Sequence, residues 1–143
     1  MEFHPLKCNV ISITNKRDPI VHNYKLHGHT LEHVESAKYL GITLQSNLKW
    51  NQHVDTITSK ANKTLGFLRR NLKIKSEKIK EKAYKSLVRP LVEYASSVWD
   101  PHNETQVNQI EMVQRRGARF VKGNYRQTAS VGKMLEDLNW QSL

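Results

Sequence analysis

The first third of the chain carries short apolar runs among polar residues, the pattern of strands that are covered on one side. Residues 7–14 (KCNVISIT) and 20–26 (IVHNYKL) are rich in β-type residues, and NKRDP at 15–19 between them is a turn signal. We predict a hairpin from these two runs. Residues 38–44 (KYLGITL) alternate apolar and polar side chains and predict a further strand, in which Gly41 indicates a bulge or a close backbone approach.

From about Asn51 the apolar period lengthens to three or four residues, which is typical of an amphipathic helix. Lys63 and Arg70 lie opposite the apolar stripe of this first helix. We expect the stripe to pack in a core, because its residues recur on one helix face. It consists of Val54, Ile57, Ala61, Leu65 and Leu68.

A second helix is predicted to begin after Ser76, which can cap it, with Glu77 in the first turn. Pro90 lacks a backbone N–H, so we expect a kink or a break at this position. The predicted apolar stripe continues past the proline to the end of the helical segment. It comprises Ile79, Ala83, Leu87, Leu91, Tyr94 and Val98.

A third helix is predicted over residues 103–122, and a short one over 131–138 precedes Trp140. These periods together predict an α+β fold, with a small antiparallel β portion in residues 1–50 and a bundle of three to four helices in residues 51–143. The apolar side of the third helix is formed by Val107, Ile110, Gly117, Ala118 and Val121.

The net charge of +10 is concentrated in one part of the 143-residue chain. Residues 60–89 hold eleven Lys or Arg against two acids, whereas residues 1–59 hold six against five and residues 90–143 six against six. So localised a positive field favours a polyanionic partner. The alternative is a lysine-rich helix whose charges are merely solvated.

Composition excludes several other classes of protein. Cys8 is the only cysteine, so neither an internal disulfide nor a cluster of thiolates around zinc can form. No apolar run approaches the roughly 20 residues that span a bilayer, and the first ten residues lack the apolar core of a signal peptide. We therefore expect an intracellular protein, nuclear or cytoplasmic, with no membrane partner.

The segment YASSVWDPH, residues 94–102, places two serines near an aspartate and a histidine. A serine nucleophile needs a histidine and an orienting acid that the fold brings together, whereas Ser96 and Ser97 on a helix point in different directions. Asp100 precedes a proline, which favours a helix end. We interpret the segment as a structural joint anchored by Trp99.

The histidine-rich segment HGHTLEH raises the possibility of a metal site. His27 and His29 would share one face of a strand, His33 follows, and Glu32 or His22 could complete a zinc site. The alternative is a polar turn around the glycine between the first two histidines, with solvated imidazoles. No paired cysteines or H-E-x-x-H motif support the metal, so we predict none.

Nucleic-acid binding is the better supported interpretation. Two helices carry basic faces behind apolar stripes, and Phe67, Tyr84 and Tyr125 lie near that charge in sequence, although core packing is favoured for the first two. Contacts to phosphates would give affinity without base specificity. The candidate binding residues are Lys60, Lys63, Arg69, Arg70, Lys73, Arg115, Arg116, Arg119 and Lys122.

Five segments carry a family resemblance. They are FHPLKCNVISIT (3–14), KYLGITLQSNLKWNQHV (38–54), KANKTLGFLRRNL (60–72), AYKSLVRPLVEYASSVWDPH (83–102) and IEMVQRRGARFV (110–121). In this order and spacing the chain resembles the C-terminal part of a reverse transcriptase encoded by a LINE-type, non-LTR retrotransposon. The resemblance covers nearly the whole chain.

The resemblance implies roles for both portions of the chain. The F-x-x-x-K-C segment would form a primer-grip hairpin through Phe3, Lys7 and Cys8, and the helices from Gln52 onward would form a thumb that holds the template–primer duplex. The expected partners are an RNA–DNA or DNA duplex and the upstream palm and endonuclease domains of the parent protein.

The same resemblance implies that catalysis lies outside residues 1–143. In the family, aspartates that include a Tyr-x-Asp-Asp motif bind two Mg²⁺ ions upstream of the primer grip, and two-metal phosphoryl transfer needs those carboxylates. We therefore expect no catalytic residue and no cofactor in this chain, with Mg²⁺ in the upstream palm, and no polymerisation by the chain alone. The alternative is a non-catalytic structural or interaction fragment of a decayed element.

Overall fold

The structure is a computed structural model that describes residues 4–14, 16–20 and 22–141. The chain forms two compact units, Met1–His53 and Val54–Leu143. Short strands lie in the first unit and most of the helical residues lie in the second. The predicted α+β class is confirmed.

Within the described residues of the first unit, the strands form three separate two-stranded ladders, in which β1 pairs in parallel with β4, β2 pairs antiparallel with β3, and β5 pairs antiparallel with β6. Their bounds are β1 Asn9–Val10, β2 Lys25–Leu26, β3 His29–Thr30, β4 Glu32–His33, β5 Ser36–Tyr39 and β6 Ile42–Gln45. The predicted hairpin between 7–14 and 20–26 is therefore wrong. Residues 25–26 pair instead with β3, the next strand along the chain. Closing the short turn between these two strands costs less entropy than closing a longer loop.

Two tight turns close the antiparallel ladders. Positive φ angles occur at both central residues of each turn, 48° and 82° at His27 and Gly28, and 47° and 88° at Leu40 and Gly41. Such pairs suit the two-residue turns whose twist matches that of a hairpin. The polar turn around Gly28 is confirmed, whereas the single strand predicted over 38–44 is wrong because the chain reverses in its middle.

Six α-helices follow in the described part of the chain, and the ends of several carry recognisable caps. Asn103 Oδ1 accepts a hydrogen bond from the Thr105 amide at 2.9 Å, and Ser130 Oγ accepts one from Lys133 at 3.4 Å. Gly123, with φ of 64°, ends the fifth helix in the left-handed conformation. The bounds are α1 Asn51–Asn71, α2 Glu77–Leu87, α3 Arg89–Glu93, α4 Ser96–Trp99, α5 Glu104–Lys122 and α6 Val131–Asp137.

The apolar stripes of α1 and α5 form most of the core of the second unit. All five predicted stripe residues of α1 are buried, and so are Ile110, Gly117, Ala118 and Val121 of α5. Val107 of α5 is 39% exposed, contrary to the prediction. The 3.6-residue period thus identified the packed face of both long helices correctly.

The stripe predicted for the second helical segment is largely wrong. Residues 84, 88, 92 and 99 are buried there, whereas Ile79, Leu87, Tyr94 and Val98 are 46%, 51%, 59% and 56% exposed. The predicted break near Pro90 is confirmed, because α2 ends at Leu87 and the proline lies in the first turn of α3. A second break at residue 95, with φ of 53°, changes again which positions along the segment face the core.

One close contact joins α2, α5 and the C-terminal segment. The Tyr84 ring is 1% exposed, stacks on Trp140 with centroids 4.5 Å apart, and lies directly over Gly117. Trp140 Nε1 also donates a hydrogen bond to Glu81 at 3.2 Å. Together with the stronger hydrogen bond from Lys85, this lowers the pKa of the Glu81 carboxyl. Core packing, predicted for Tyr84, is confirmed.

Within the described ranges, none of the helices combines the length and apolar character that crossing a membrane requires.

Gly117→Ala should destabilise the helical unit, because a Cβ at this position would lie 2.3 Å from Tyr84 Cε2, and the buried ring has no room to move. We expect a decrease of about 1–3 kcal/mol in the free energy of unfolding, as for other overpacked cores. Urea unfolding followed by circular dichroism measures it.

Gly66→Ala is the matched control, since it also replaces a helical glycine. Its Cβ would meet only the mobile end of Arg70, 3.4 Å away, so we expect an increase of up to about 1 kcal/mol in the free energy of unfolding. Equal effects of the two substitutions would contradict the Tyr84–Gly117 contact.

Candidate nucleic-acid interface

Polar contacts align α1 with α5. Gln109 donates hydrogen bonds to Asp55 Oδ1 at 2.8 Å and to Thr58 Oγ1 at 3.0 Å. Farther along both helices, Arg116 Nη1 donates to Asn62 Oδ1 at 2.9 Å. Residues 55 and 58 of α1 contact residue 109 of α5, and residue 62 contacts residue 116. Because the residue numbers increase along both helices, α1 and α5 run in the same direction, and their basic residues lie side by side.

Three arginines converge beside these contacts on one open pocket of about 260 Å³. Arg69 comes from the last turn of α1, and Arg116 and Arg119 come from successive turns of α5. Tyr125, just beyond α5, completes the rim. We call this group the arginine pocket. It unites three candidate residues that are up to 50 positions apart in sequence.

Each of the three guanidinium groups is held in place by a neighbouring group. Arg116 is held by Asn62, and Arg119 Nη1 donates to the Arg126 carbonyl oxygen at 3.0 Å. The Arg69 guanidinium carbon lies 5.1 Å from the centroid of the Tyr125 ring, a cation–π contact. A guanidinium has five N–H donors, so each of these arrangements leaves donors for an anion.

No carboxylate of the described residues forms an ion pair with these three arginines. Carboxylates form ion pairs with other basic residues: Glu93 pairs with Arg89 at 2.6 Å, and Glu81 pairs with Lys85 at 2.7 Å. Because the positive charge of the arginine pocket is not neutralised internally, an incoming anion need not displace a competing carboxylate.

A second basic pocket adjoins the first and shares Arg69 and Tyr125 with it. Its volume is about 290 Å³, and Lys73, Lys75 and Lys80 contribute to its wall. Lys73 is one of the binding residues predicted from the sequence, whereas Lys75 and Lys80 are not. They could have been found because they belong to the same charged stretch, residues 60–89.

Other candidate residues lie outside both pockets. Lys60, Lys63, Arg70 and Arg115 are exposed, so they can add to the positive field. Lys122 is engaged within the fold, since its ammonium lies 3.2 Å from Glu77 and 3.9 Å from Asp137.

The three primer-grip candidates belong to the first unit or lie outside the described residues. Lys7 is exposed at the end of a short 3₁₀ turn, Pro5–Lys7. Cys8 follows and its thiol donates weakly to the His4 carbonyl oxygen at 3.5 Å. Phe3 lies outside the described residues.

The aromatic residues near the charge differ from the predictions in one respect. Phe67 is 56% exposed, so its predicted place in the core is wrong. It sits on the charged side of α1, between the buried Leu65 and Leu68. Tyr125 is 48% exposed and is the aromatic residue that contacts a candidate arginine.

The serine-containing segment gains no support as a catalytic site. Ser96 and Asp100 line an apolar pocket with the buried Trp99, but among the described residues that line it there is no histidine. Trp99 Nε1 donates to the Tyr94 carbonyl oxygen at 2.7 Å, as expected of a structural anchor.

In the histidine-rich segment, a His33 ring nitrogen lies 2.9 Å from the His22 carbonyl oxygen. Across the described part of the chain, no three His, Cys, Asp or Glu side chains come together as metal ligands.

Comparison with known proteins supports one relationship. Over 106 residues, 72% of this chain, the sequence is 29% identical to the probable RNA-directed DNA polymerase from transposon BS of Drosophila melanogaster. This similarity supports a reverse transcriptase-related origin. The chain spans about 12% of the length of that curated relative. No family model and no solved structure matches the chain. The LINE type and the thumb and primer-grip assignments stay predictions.

Arg69→Gln should raise the pKa of Tyr125 further. Burial already raises the pKa of this phenol, and the Arg69 charge opposes the rise because it stabilises the phenolate. Without the Arg69 charge, nothing offsets the effect of burial, so the pKa of Tyr125 rises further. Arg70→Gln, one residue away, should leave the pKa of Tyr125 as it is. NMR titration of ¹³Cζ-labelled tyrosine measures both variants, and equal pKa values for Tyr125 in the two would contradict the cation–π contact.

Proposed function

We propose that this chain is a duplex-holding part of a LINE-type retrotransposon reverse transcriptase and binds the template–primer backbone through its basic helices. The single observation that carries the proposal is the arginine pocket, where three anchored guanidinium groups face solvent without a carboxylate partner among the described residues. The similarity to a transposon RNA-directed DNA polymerase supports the same function.

The chemistry of arginine favours phosphate as the ligand. A guanidinium is planar and donates two parallel hydrogen bonds to one phosphate, and it keeps its charge at every physiological pH. Asn62, Arg126 and Tyr125 already hold the three arginine side chains in place. The side chains therefore lose less conformational entropy when a ligand binds. Such contacts recognise the backbone of either strand and do not read base sequence.

The surrounding lysines extend the positive field beyond the pocket. Eleven Lys or Arg against two acids lie in residues 60–89, and they belong to α1, α2, the segment between them and the start of α3. A field of this kind speeds encounter with a polyanion and adds affinity through released counterions. The proposed partner is an RNA–DNA or DNA duplex.

In a parent enzyme, this chain would hold the template–primer duplex, and other domains would carry out the polymerisation reaction. Upstream palm and endonuclease domains would be its partners there, and carboxylates of that palm would hold the Mg²⁺ ions. Two of the proposed primer-grip residues belong to the described part of the first unit: Lys7 ends the 3₁₀ turn at Pro5–Lys7, and Cys8 follows it.

Salt-dependent binding of an RNA–DNA duplex tests this function. Replacing Lys63, Arg70 and Lys73 together by Gln should weaken binding, because each cation that binds a phosphate displaces a counterion. The slope of log K against log salt should become shallower by up to about 0.9 for each phosphate that the variant no longer neutralises. Fluorescence anisotropy with a labelled duplex, over a series of salt concentrations, measures both quantities.

The control variant replaces Lys16, Lys25 and Lys38, three exposed lysines of the first unit, and removes the same net charge. It should change affinity and slope less. Equal effects of the two triple variants would contradict binding by the basic helices. A wild-type chain that binds no duplex and shows no cooperative thermal transition would favour the non-catalytic fragment of a decayed element.

A further inference from the structure

The arginine pocket is an open recess in the proposed duplex-binding face, so a duplex backbone can contact the arginines at its rim, but only a smaller group can enter it. Its volume of about 260 Å³ lies just below the ~300–1,000 Å³ of pockets that hold a small ligand. Arg116, Arg119 and Tyr125 all line it. A recess of this volume has room for one nucleotide at most.

The Tyr125 ring gives the pocket a stacking surface in addition to its charge. Arg69 covers one face of the ring at 5.1 Å, while 48% of the residue stays exposed. An aromatic ring beside a cationic groove is the usual arrangement for binding single-stranded nucleic acid, because every base has a face that can stack. Bases inside a duplex are already stacked on their neighbours, so such a ring selects an unpaired base.

We propose that the arginine pocket binds one unpaired nucleotide of a single strand that continues from the duplex. Arg116 and Arg119 would bind its phosphate, and the base would stack on Tyr125, whose opposite face Arg69 supports. This inference rests on the proposed duplex binding and adds to it a place for the single-stranded extension.

Two RNA–DNA duplexes of equal paired length, one blunt and one with a five-nucleotide single-stranded extension, test the inference on the full chain. Wild-type protein should bind the extended duplex about fivefold or more tightly than the blunt one, given the strength of base stacking on aromatic rings. The double variant Arg69→Gln/Arg116→Gln and the single variant Tyr125→Leu should each abolish this preference. Tyr125→Phe keeps the ring and should preserve it.

The matched control is Arg70→Gln/Arg115→Gln. It changes neighbouring positions on the same two helices and removes the same charge, but neither residue lines the pocket. It should weaken binding of both duplexes and keep the preference for the extended one. Each variant should keep a cooperative thermal transition, because the substituted arginines and Tyr125 are exposed.

The outcomes separate this inference from the proposed function. Salt-dependent binding of both duplexes without a preference, or an equal decrease of the preference in the two double variants, would overturn the nucleotide site and leave duplex binding in place. If the wild type binds neither duplex, the proposed function fails and the inference fails with it.

Discussion

The helical unit depends on the contact between Tyr84 and Gly117. Only glycine allows α5 to approach the buried ring this closely, since any Cβ there would overlap it. The same ring stacks on Trp140, which brings the segment after α6 against α2 and donates a hydrogen bond to Glu81. One aromatic side chain therefore fixes the relative positions of α2, α5 and the C-terminal segment.

This packing also sets the direction of the arginines that we propose to bind nucleic acid. Arg116 directly precedes Gly117, so its side chain leaves α5 on a different side from the face that meets Tyr84. There it reaches Asn62 of α1. The buried stripe of α1 holds the other wall, and Arg69 leaves its last turn toward Tyr125. The proposed interface is thus a product of core packing, and each of its three arginines contacts a neighbouring group of the fold.

Much of this could be predicted from the sequence where one physical rule dominated. The long apolar periods of α1 and α5, the start of α5 near Asn103 and the break at Pro90 are local features, and all were predicted correctly. The strand pairing was not, because β1 takes a partner more than 20 residues away and the Leu40–Gly41 turn has an unusual first residue.

The buried positions of the second helical segment were harder to predict from the sequence for a different reason. A single stripe was extended across two backbone breaks, and it placed Leu87, Tyr94 and Val98 on the buried face, although all three are exposed. The charge pattern likewise predicted which helices are basic but treated their cations as equivalent. Only the three-dimensional arrangement separates the anchored Arg116 from the ion-paired Lys122 and brings Lys75 and Lys80 to the pocket.

The most direct measurement is NMR of the full chain, with ¹⁵N-labelled arginine side chains, during titration with an RNA–DNA duplex. We predict that the Nε–H signals of Arg69, Arg116 and Arg119 shift most, while that of Arg89, already paired with Glu93, shifts least. Shifts that are as large for Arg89 as for the three pocket arginines, or absent from all four, would contradict this prediction.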